Sequence, residues 1–454
     1  MERFASDDTI SAIATAPGEG GVAIVRVSGK DSPSILKKVF RPKKSSEMKP
    51  SRMRYGHIVS EDGEVIDEVL CVYFRAPNTY TAEDVCEIQC HGGMVQARRV
   101  FKRTLEAGAR IAGPGEFTRR AFENGRITLP EAEAVLCLVR SNGELAARSA
   151  LRQLSGLVSA FIVEIRKTLT SCLSLIEATI DFPDEVEEKE AEEKVLSAVN
   201  ESLACLNAAI DEDGARAVRE GASVVIAGNP NVGKSSLLNA ILRRDRAIVS
   251  EIPGTTRDVL TEKIQLNGLS VELSDTAGVR ESTDPIEAIG ISRALKAQRE
   301  ADLVFLIFDA SRAVGEDELK LIREKDAHTV FVVNKSDIAD PETVARKIER
   351  ETGIQPVCVS AATYDGVDTL IEIMKRRLSG YICAEPILIG LRQIECAKRA
   401  REALLRAREA IFVCPLDLVS SDIWEALEAI ASLAGDDARE DVIDSIFKDF
   451  CVGK

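Results

Sequence analysis

The chain has 454 residues, of which 45% are hydrophobic and 29% charged, and this length and balance predict a globular protein of two to four domains. No apolar run approaches the roughly 18 residues of a membrane span, and the first residues, MERFASDDTI, lack the pattern of a signal peptide. The eleven cysteines show no CxxC pair and no paired Cys/His spacing, so they predict neither a zinc site nor a disulfide framework. We therefore expect a cytoplasmic protein with no membrane partner.

The formal net charge of −15 argues against a protein that coats nucleic acid, because contacts with phosphates supply most of that affinity. One segment reverses this balance. Between Lys37 and Arg54 there are eight basic residues and one acid, Glu47; the basic residues are Lys37, Lys38, Arg41, Lys43, Lys44, Lys49, Arg52 and Arg54. Two interpretations stay open: a local contact with nucleic acid, or a solvated loop between strands.

Residues 1–120 alternate short strand-like runs with Gly and Pro. The clearest runs are GVAIVRVSG (21–29), EVLCVYFRA (68–76) and DVCEIQCHGG (84–93). This alternation predicts a compact α+β unit.

From residue 121 to 215 the pattern becomes helical, and it does so again from 380 to 454. Leu196, Val199, Leu203, Leu206 and Ile210 form one apolar stripe at helical spacing, and Pro183 interrupts the helical run before it. Because the two helical segments share this character, we expect the domain between them, residues 216–379, to be inserted into one helical domain.

Residues 223–379 alternate strands and helices. SVVIAG, LVFLIFDAS, TVFVVNKSD and PVCVSAA are nearly continuous apolar runs, as is typical of parallel strands buried on both faces. IQLNGLSVELSD alternates around Asn267-Gly268 and predicts a hairpin with a type I′ turn. We therefore predict a mostly parallel sheet with one antiparallel edge.

A phosphate-binding loop follows the first of these strands. The sequence from Gly228 to Ser236, GNPNVGKSS, matches GxxxxGK[ST] between a strand and a helix, the setting that the motif requires. Its glycines let main-chain N–H groups curl around phosphate oxygens, and the helix N-terminus adds positive charge. We expect Lys234 to reach the β- and γ-phosphates and the Ser235 hydroxyl to bind Mg²⁺.

Two further segments follow in the order that a nucleotide switch needs. Gly254-Thr255-Thr256 precedes the hairpin, where a threonine can complete the Mg²⁺ shell. Asp275-Thr276-Ala277-Gly278 ends the second strand of the hairpin, so Asp275 is a candidate for the metal shell and the Gly278 N–H for the γ-phosphate.

The base is predicted to be guanine. Asn334-Lys335-Ser336-Asp337 ends a strand, and the Asp337 carboxylate can accept two hydrogen bonds from guanine that adenine cannot donate. Ser360-Ala361-Ala362 resembles the loop whose main chain contacts the guanine oxygen. The predicted ligand is GTP rather than ATP.

The residue that orients the attacking water is left open by the motifs. No Gln follows Asp275-Thr276-Ala277-Gly278, but carboxylates occur in the segment 281–287, at Glu281, Asp284 and Glu287.

Taken together, these motifs resemble those of the MnmE (TrmE) family, bacterial and organellar GTPases that help to modify the wobble uridine of certain tRNAs. The resemblance extends along the whole chain and includes GGVAIVRVSG, DVCEIQCHGG, PGEFTRRAF, PEAEAV, EATIDFPDE and the terminal FCVGK. The match to the family is loose in residues 412–440, where the usual Gly-Glu-Ile-Thr-Gly stretch is lacking.

The resemblance implies an α/β Ras-like P-loop GTPase domain inserted into a discontinuous α-helical domain, preceded by an α+β tetrahydrofolate-binding-like N-terminal domain. The implied limits are 1–120 for folate binding and dimerisation, 121–215 and 380–454 for the helical domain, and 216–379 for the GTPase domain. The implied partners are a second copy of the chain, tRNA, and the MnmG protein with its FAD and NADH, in a heterotetramer. The implied reaction adds an aminomethyl or carboxymethylaminomethyl group to C5 of the wobble uridine, with a methylene group from folate.

The resemblance also implies roles for individual residues. Glu287 falls at the water-orienting glutamate of the family. Mg²⁺ would be held by Ser235 and Thr256, and K⁺ by Asn231, Ser250, Ile252 and Thr255. A 5-formyl- or methylene-tetrahydrofolate would be bound by Arg26, Glu87, Arg126 and Lys454. The full predicted GTP-binding set is Asn231, Val232, Gly233, Lys234, Ser235, Ser236, Ser250, Glu251, Ile252, Pro253, Gly254, Thr255, Thr256, Asp275, Thr276, Ala277, Gly278, Asn334, Lys335, Asp337, Ser360, Ala361 and Ala362.

Other interpretations remain at this stage. Arg26 could form a salt bridge at the edge of the core, with Glu87 as its partner. The whole chain could be a regulatory or ribosome/RNA-assembly GTPase that performs no modification chemistry; binding of a tetrahydrofolate would distinguish the two functions.

Overall fold

The structure is a computed structural model that describes residues 8–44, 48–184, 187–244, 261–275, 298–323, 326–383, 385–436 and 439–454. The chain forms two compact units. The first comprises Met1–Val139, Gln153–Leu206 and Glu395–Lys454, and the second comprises Arg140–Arg152 and Asn207–Ile394. Within the described ranges, none of the helices has the length and apolar character that crossing a membrane needs.

The first unit begins with a seven-stranded sheet in the order β3-β4-β5-β6-β2-β1-β7. Its strands are β1 (Ile10–Ile13), β2 (Val22–Ser28), β3 (Phe40–Pro42), β4 (Arg54–Val59), β5 (Val65–Phe74), β6 (Val85–His91) and β7 (Arg110–Ile111), and its helices are α1 (Ser32–Val39), α2 (Met94–Glu106) and α3 (Glu116–Glu123). Neighbouring strands are antiparallel except β1 and β7, which are parallel. The three strands predicted for this part of the chain are confirmed as β2, β5 and β6, and so is the α+β composition.

The two faces of this sheet are covered by different elements. Val25 on β2 joins a core cluster with Ile35 of α1 and Val100 of α2. Residues of β2 alternate between faces, so Arg26 lies on the opposite face, where Phe117 of α3 is fully buried. The second face therefore carries polar side chains next to an aromatic core.

Long helices make up the rest of the first unit. They are α4 (Leu129–Arg140), α6 (Leu157–Asp181), α7 (Glu188–Ala209), α14 (Leu391–Ala410), α15 (Leu416–Ala434) and α16 (Glu440–Lys448), and α5 (Glu144–Leu154) lies mostly in the second unit. The predicted interruption at Pro183 is confirmed, because α6 ends at Asp181. The predicted stripe is shifted slightly: Val195, not Leu196, is fully buried, and Ile210 follows the end of α7.

The C-terminal tail packs against α3 and the chain before it. Phe447 and Phe450 lie with Phe122 in one apolar cluster, and ring centroids of Phe447 and Phe450 are 5.4 Å apart. Val452 forms an antiparallel bridge with Pro114. The last residues of the chain are thus fixed on the N-terminal part of the same unit.

The second unit contains a six-stranded sheet in the order β13-β12-β11-β8-β10-β9. Its strands are β8 (Ala222–Gly228), β9 (Thr261–Leu266), β10 (Leu269–Asp275), β11 (Leu303–Asp309), β12 (Thr329–Asn334) and β13 (Val357–Cys358). Its helices are α8 (Glu212–Glu220), α9 (Lys234–Arg244), α10 (Glu316–Arg323), α11 (Glu342–Thr352), α12 (Val367–Arg377) and α13 (Ser379–Ile382).

The predictions for this sheet are confirmed. All its pairs are parallel except the edge pair β9–β10, and every residue of β11 and β12 is buried, because helices cover both faces. Asn267 (φ 49°) and Gly268 (φ 87°) form the two-residue hairpin turn, with the pair of positive φ angles that a type I′ turn requires.

A buried carboxylate joins the two ends of this unit's α/β core. Asp302 precedes β11, and its side chain is 4% exposed. It accepts hydrogen bonds from the Arg216 guanidinium on α8, the Ser223 N–H on β8 (2.8 Å) and the Tyr381 hydroxyl on α13 (3.0 Å). Burial acts to raise the pKa of Asp302, but these donors, led by Arg216, outweigh it and hold the pKa below its usual range.

Candidate functional site

The phosphate-binding loop connects β8 to α9, as predicted. Gly228 (φ 143°) and Gly233 (φ 95°) have backbone conformations that other residues rarely adopt. A Cβ on Gly228 would lie 2.5 Å from the Ile307 carbonyl oxygen, and one on Gly233 would lie 2.3 Å from the Asn334 side-chain nitrogen. These two glycines are therefore needed for the close packing of the loop on the neighbouring strands.

Lys234 and Ser235 occupy the first turn of α9. Lys234 is 7% exposed, and its ammonium group donates hydrogen bonds to the carbonyl oxygens of Gly228 (3.0 Å) and Asn229 (3.1 Å). Its side chain thus bends back over the loop. Ser235 and Ser236 are exposed at the helix N-terminus, where an anionic ligand and its metal would bind.

The predicted base-binding loop is hydrogen-bonded directly to the phosphate-binding loop. Asn334 ends β12 and is 1% exposed; its side-chain nitrogen donates to the Val232 carbonyl (2.9 Å) and its side-chain oxygen accepts from the Ala361 N–H (3.1 Å). The Lys335 ammonium group donates to the Asn231 carbonyl (2.8 Å). One buried amide therefore fixes three loops that are distant in sequence.

Asp337 is held in place by the third loop. The Ser360 hydroxyl donates to Asp337 Oδ1 (2.6 Å), and Ser360 itself is fully buried and accepts from the Thr363 N–H (3.1 Å). Asp337 is exposed, so its carboxylate is accessible to a ligand. The described residues of the predicted GTP site are thus assembled at one edge of the sheet.

Asp309 is a residue of this assembly that the sequence did not reveal. It ends β11, its side chain is 2% exposed, and its Oδ2 lies 2.6 Å from the Lys335 ammonium nitrogen. Its Oδ1 accepts from the Ser311 hydroxyl (2.6 Å) and N–H (2.9 Å). Burial acts to raise the pKa of Asp309, but the hydrogen bonds from Lys335 and Ser311 outweigh it, so the pKa is lowered and the group is a carboxylate at neutral pH.

Several predicted residues lie outside the described part of the chain: Ser250, Glu251, Ile252, Pro253, Gly254, Thr255, Thr256, Thr276, Ala277, Gly278 and Glu287. Asp275 is described only as the last residue of β10. Asn231 lies within the described part of the chain. It is an exposed residue of the phosphate-binding loop and has a φ angle of 66°.

A second candidate site lies in the first unit. A pocket of about 550 Å³ is lined by Glu87 and Arg126, two of the predicted folate-binding residues, and by the segment 77–80. Arg126 follows α3, and its guanidinium donates to the Tyr80 carbonyl (3.0 Å) and lies 5.1 Å from the centroid of the Tyr80 ring.

Arg26 approaches the same aromatic ring. Its guanidinium carbon lies 5.4 Å from the Tyr80 centroid and 5.6 Å from that of Phe117. Arg26 and Glu87 are cross-strand neighbours on β2 and β6, and Arg26 Nε donates to Glu87 Oε1 (2.9 Å). The salt bridge considered as an alternative is therefore present, and it forms part of the wall around Tyr80.

Lys454 is close to this wall through the main chain. Its main-chain oxygen accepts from the N–H of Phe117 (3.2 Å), the residue whose ring lies near the Arg26 guanidinium. Gly453 (φ 102°) packs against the Ile13 carbonyl, where a Cβ would lie at 2.4 Å. The structure thus brings the four predicted folate-binding residues into one neighbourhood, although they span almost the whole chain.

Comparison with known proteins assigns the chain to a family. Residues 9–126 match the family model of the GTP-binding protein TrmE N-terminus, and residues 129–451 match that of the MnmE helical domain. The chain is 42% identical over 466 residues to the tRNA modification GTPase MnmE of Moorella thermoacetica, with 99% of this chain and 100% of the relative covered. It is also 42% identical to the MnmE of Chloroflexus aurantiacus, with the same shares covered. The chain belongs to the MnmE family of tRNA modification GTPases.

Among solved structures, the FeoB G-domain from Methanococcus jannaschii is 26% identical, with a TM-score of 0.27; the match covers 35% of this chain and 97% of that one. Within the MnmE family assignment, the predicted fold class is confirmed: a P-loop α/β unit interrupts a helical unit that begins with an α+β domain.

Replacing Asp309 with Asn tests the role of its contact with Lys335. Asn keeps the shape of the side chain but removes the charge that holds the Lys335 ammonium group. Because a hydrogen bond between charged groups contributes about 1.5–3 kcal/mol, we expect the Kd for GTP to rise by roughly tenfold or more. The measurement is titration with a fluorescent GTP analogue.

The matched control is Asp317→Asn on α10, which makes the same chemical change at a side chain that is 89% exposed. An unchanged Kd for Asp309→Asn, or an equal rise for the control, would contradict this role. Thermal unfolding of both variants separates weaker binding from loss of the fold.

Proposed function

We propose that this protein hydrolyses GTP and, with an FAD-dependent MnmG partner, adds an aminomethyl or carboxymethylaminomethyl group to C5 of the wobble uridine of certain tRNAs. The observation that carries the GTP part is the junction at Asn334, which joins the phosphate-binding loop to the loops predicted to bind the base. Full-length similarity to MnmE proteins supports the tRNA part.

Guanine specificity follows from the chemistry of Asp337. Its exposed carboxylate can accept from guanine N1–H and the exocyclic amine, whereas adenine presents an acceptor at N1. A carboxylate facing an acceptor would lose its hydrogen bonds with water and gain none, so ATP would bind poorly. Ser360 fixes the orientation of this carboxylate before the nucleotide binds.

The residues fit a magnesium–nucleotide complex. The glycines of the phosphate-binding loop leave no room for a Cβ, so main-chain N–H groups can approach phosphate oxygens closely. Ser235 and Thr256 would hold Mg²⁺, which supplies positive charge to those oxygens, and Asp275 belongs to the proposed metal shell. Lys234, now bound to loop carbonyls, has its ammonium group over the same loop.

Asn231 is the described member of the proposed K⁺ site. Its main-chain carbonyl already accepts from Lys335, so its side-chain oxygen is the atom that would face the ion. The other proposed K⁺ ligands are Ser250, Ile252 and Thr255. A K⁺ ion there would supply the positive charge that other GTPases obtain from an arginine finger.

The pocket around Tyr80 fits a flat heteroaromatic ligand with a negative charge. Its volume of about 550 Å³ lies in the range of small-molecule sites. Glu87 offers an acceptor to ring N–H groups and Arg126 a cation at the rim. We propose that it binds 5-formyl- or methylene-tetrahydrofolate with Arg26 and Lys454, and that the protein acts as a homodimer within a heterotetramer with MnmG.

Mass spectrometry of tRNA nucleosides tests the proposed function as a whole. Cells that lack this protein should lose the C5 modification of wobble uridine, and the restored gene should return it. Unchanged modification in those cells, with GTP hydrolysis intact in the purified protein, would favour an assembly GTPase instead.

Glu287→Ala should abolish turnover and leave GTP binding intact, because the carboxylate would orient water without touching the ground-state nucleotide. General acid–base groups contribute typically 10²–10⁴-fold, so kcat should fall by about 100-fold or more. Single-turnover phosphate release and nucleotide titration give the two readouts. Glu281→Ala and Asp284→Ala serve as controls in the same segment; turnover lost in either control, or retained in Glu287→Ala, would refute the assignment.

Arg126→Ala should weaken binding of 5-formyl-tetrahydrofolate by about tenfold or more, since one charged hydrogen bond is worth roughly 1.5–3 kcal/mol. GTP hydrolysis should stay at the wild-type rate. The control is Arg98→Ala, an exposed cation on α2. Calorimetry with the folate measures affinity, and equal affinities for the wild type and Arg126→Ala would rule out this residue as a ligand contact.

A further inference from the structure

The basic segment noted in the sequence lies at one free edge of the first unit's sheet. Strand β3 is the outermost strand and pairs only with β4. Helix α1 runs directly into β3, and residues 43–44 and 48–53, the described residues between β3 and β4, adjoin the same edge. We define the basic edge as the eight cations that this topology brings together: Lys37, Lys38, Arg41, Lys43, Lys44, Lys49, Arg52 and Arg54.

The basic edge is open to solvent. All its members except the half-buried Arg54 are exposed. Arg54 donates to the Lys44 carbonyl (3.0 Å) and Lys38 donates to the Ala107 carbonyl (3.0 Å). These contacts hold Lys44 and the end of α1 in place. The cations are therefore presented by a folded edge.

Six of these eight charges are not used in ion pairs with the described part of the chain. The six residues Lys37, Arg41, Lys43, Lys44, Lys49 and Arg52 form no salt bridge with any carboxylate whose position is described. Glu47, the one acid of the segment, lies outside that part. In a protein of net charge −15, these six cations create a local electrostatic potential of opposite sign.

Protection of the sheet edge does not account for this number of cations. Edge strands are commonly protected from pairing with another chain because they are short, contain a proline or carry a charged side chain. Strand β3 has only three residues and ends in Pro42, and Arg41 lies beside it. The cations of the turn and of α1 are in excess of what this three-residue edge needs.

An aromatic side chain lies among the cations. The Lys43 ammonium nitrogen is 5.0 Å from the centroid of the Tyr55 ring, which is 40% exposed. The His57 ring follows at 6.4 Å between centroids. Surfaces that bind single-stranded RNA combine two features: cations that contact phosphates, and exposed aromatic rings that stack on unpaired bases. Both features occur here.

We propose that the basic edge binds the sugar–phosphate backbone of the substrate RNA, with Tyr55 stacking on an unpaired base. The identity of that RNA as tRNA rests on the proposed function. The contacts are with phosphates, so they position the RNA on the first unit and do not read its sequence.

The test is a triple variant of the full-length protein, Lys43→Gln, Lys44→Gln and Lys49→Gln. Binding of an unmodified tRNA transcript is measured by fluorescence anisotropy over a series of salt concentrations. We expect the Kd to rise on the order of tenfold at 0.1 M salt, and the slope of log K against log salt to fall by about 2, because each phosphate contact contributes 0.7–0.9. GTP turnover without RNA should be unchanged.

Two further variants make the result specific. Replacing the same three lysines with Arg keeps the charge and should keep the affinity. Replacing Lys189, Lys320 and Lys448, exposed residues of α7, α10 and α16, with Gln removes the same total charge elsewhere and should also keep the affinity. Unfolding temperatures of all three proteins show whether any loss of binding comes from loss of the fold.

The outcomes separate this inference from the proposed function. The triple Gln variant could bind tRNA as well as the wild type, while the wild type still supports tRNA modification. That result would refute RNA binding by the basic edge and leave the proposed function intact. The same binding with increased aggregation would assign the lysines to edge protection. Loss of nucleoside modification only in the triple Gln variant would support both RNA binding by the basic edge and the proposed function.

Discussion

The α/β unit depends on the carboxylate of Asp302. It receives donors from α8, where the chain leads into the sheet, from β8, and from α13, where the chain leaves it. If this carboxylate were absent, the Arg216 guanidinium, the Ser223 N–H and the Tyr381 hydroxyl would lose the acceptor that they share. Asp302 and Ser223 directly precede the paired residues Leu303 and Val224, so this contact lies at the start of the β8–β11 pairing whose carboxyl ends lead into the ligand-binding loops.

The loops at those carboxyl ends are fixed by one another before any nucleotide binds. Asn334 joins the phosphate-binding loop to the loop of Ala361, and Lys335 joins it to Asp309. Each contact uses a buried or half-buried group, so water competes weakly. Because a ligand then removes little entropy from these described loops, more of its interaction energy with them is available for binding.

The sequence predicted what local patterns determine. Glycines of the phosphate-binding loop, the Asn267-Gly268 turn and the continuous apolar strands each act over a few residues, and the structure confirms all three. Asp309 was missed although it ends an apolar run, because its partner Lys335 directly follows the adjacent strand β12 and the register between parallel strands is set by tertiary packing. The bridge between Val452 and Pro114 has no local pattern at all, since it joins residues more than 300 positions apart.

The balance of charge around Tyr80 argues for the kind of ligand the pocket takes. Arg26 is paired with Glu87, so these two together are close to neutral. Arg126 donates to a main-chain carbonyl and, within the described part of the chain, has no carboxylate partner. The pocket thus has a small positive excess beside an aromatic face. A flat ligand could bind along the Tyr80 ring. A carboxylate on that ligand could then form an ion pair with Arg126.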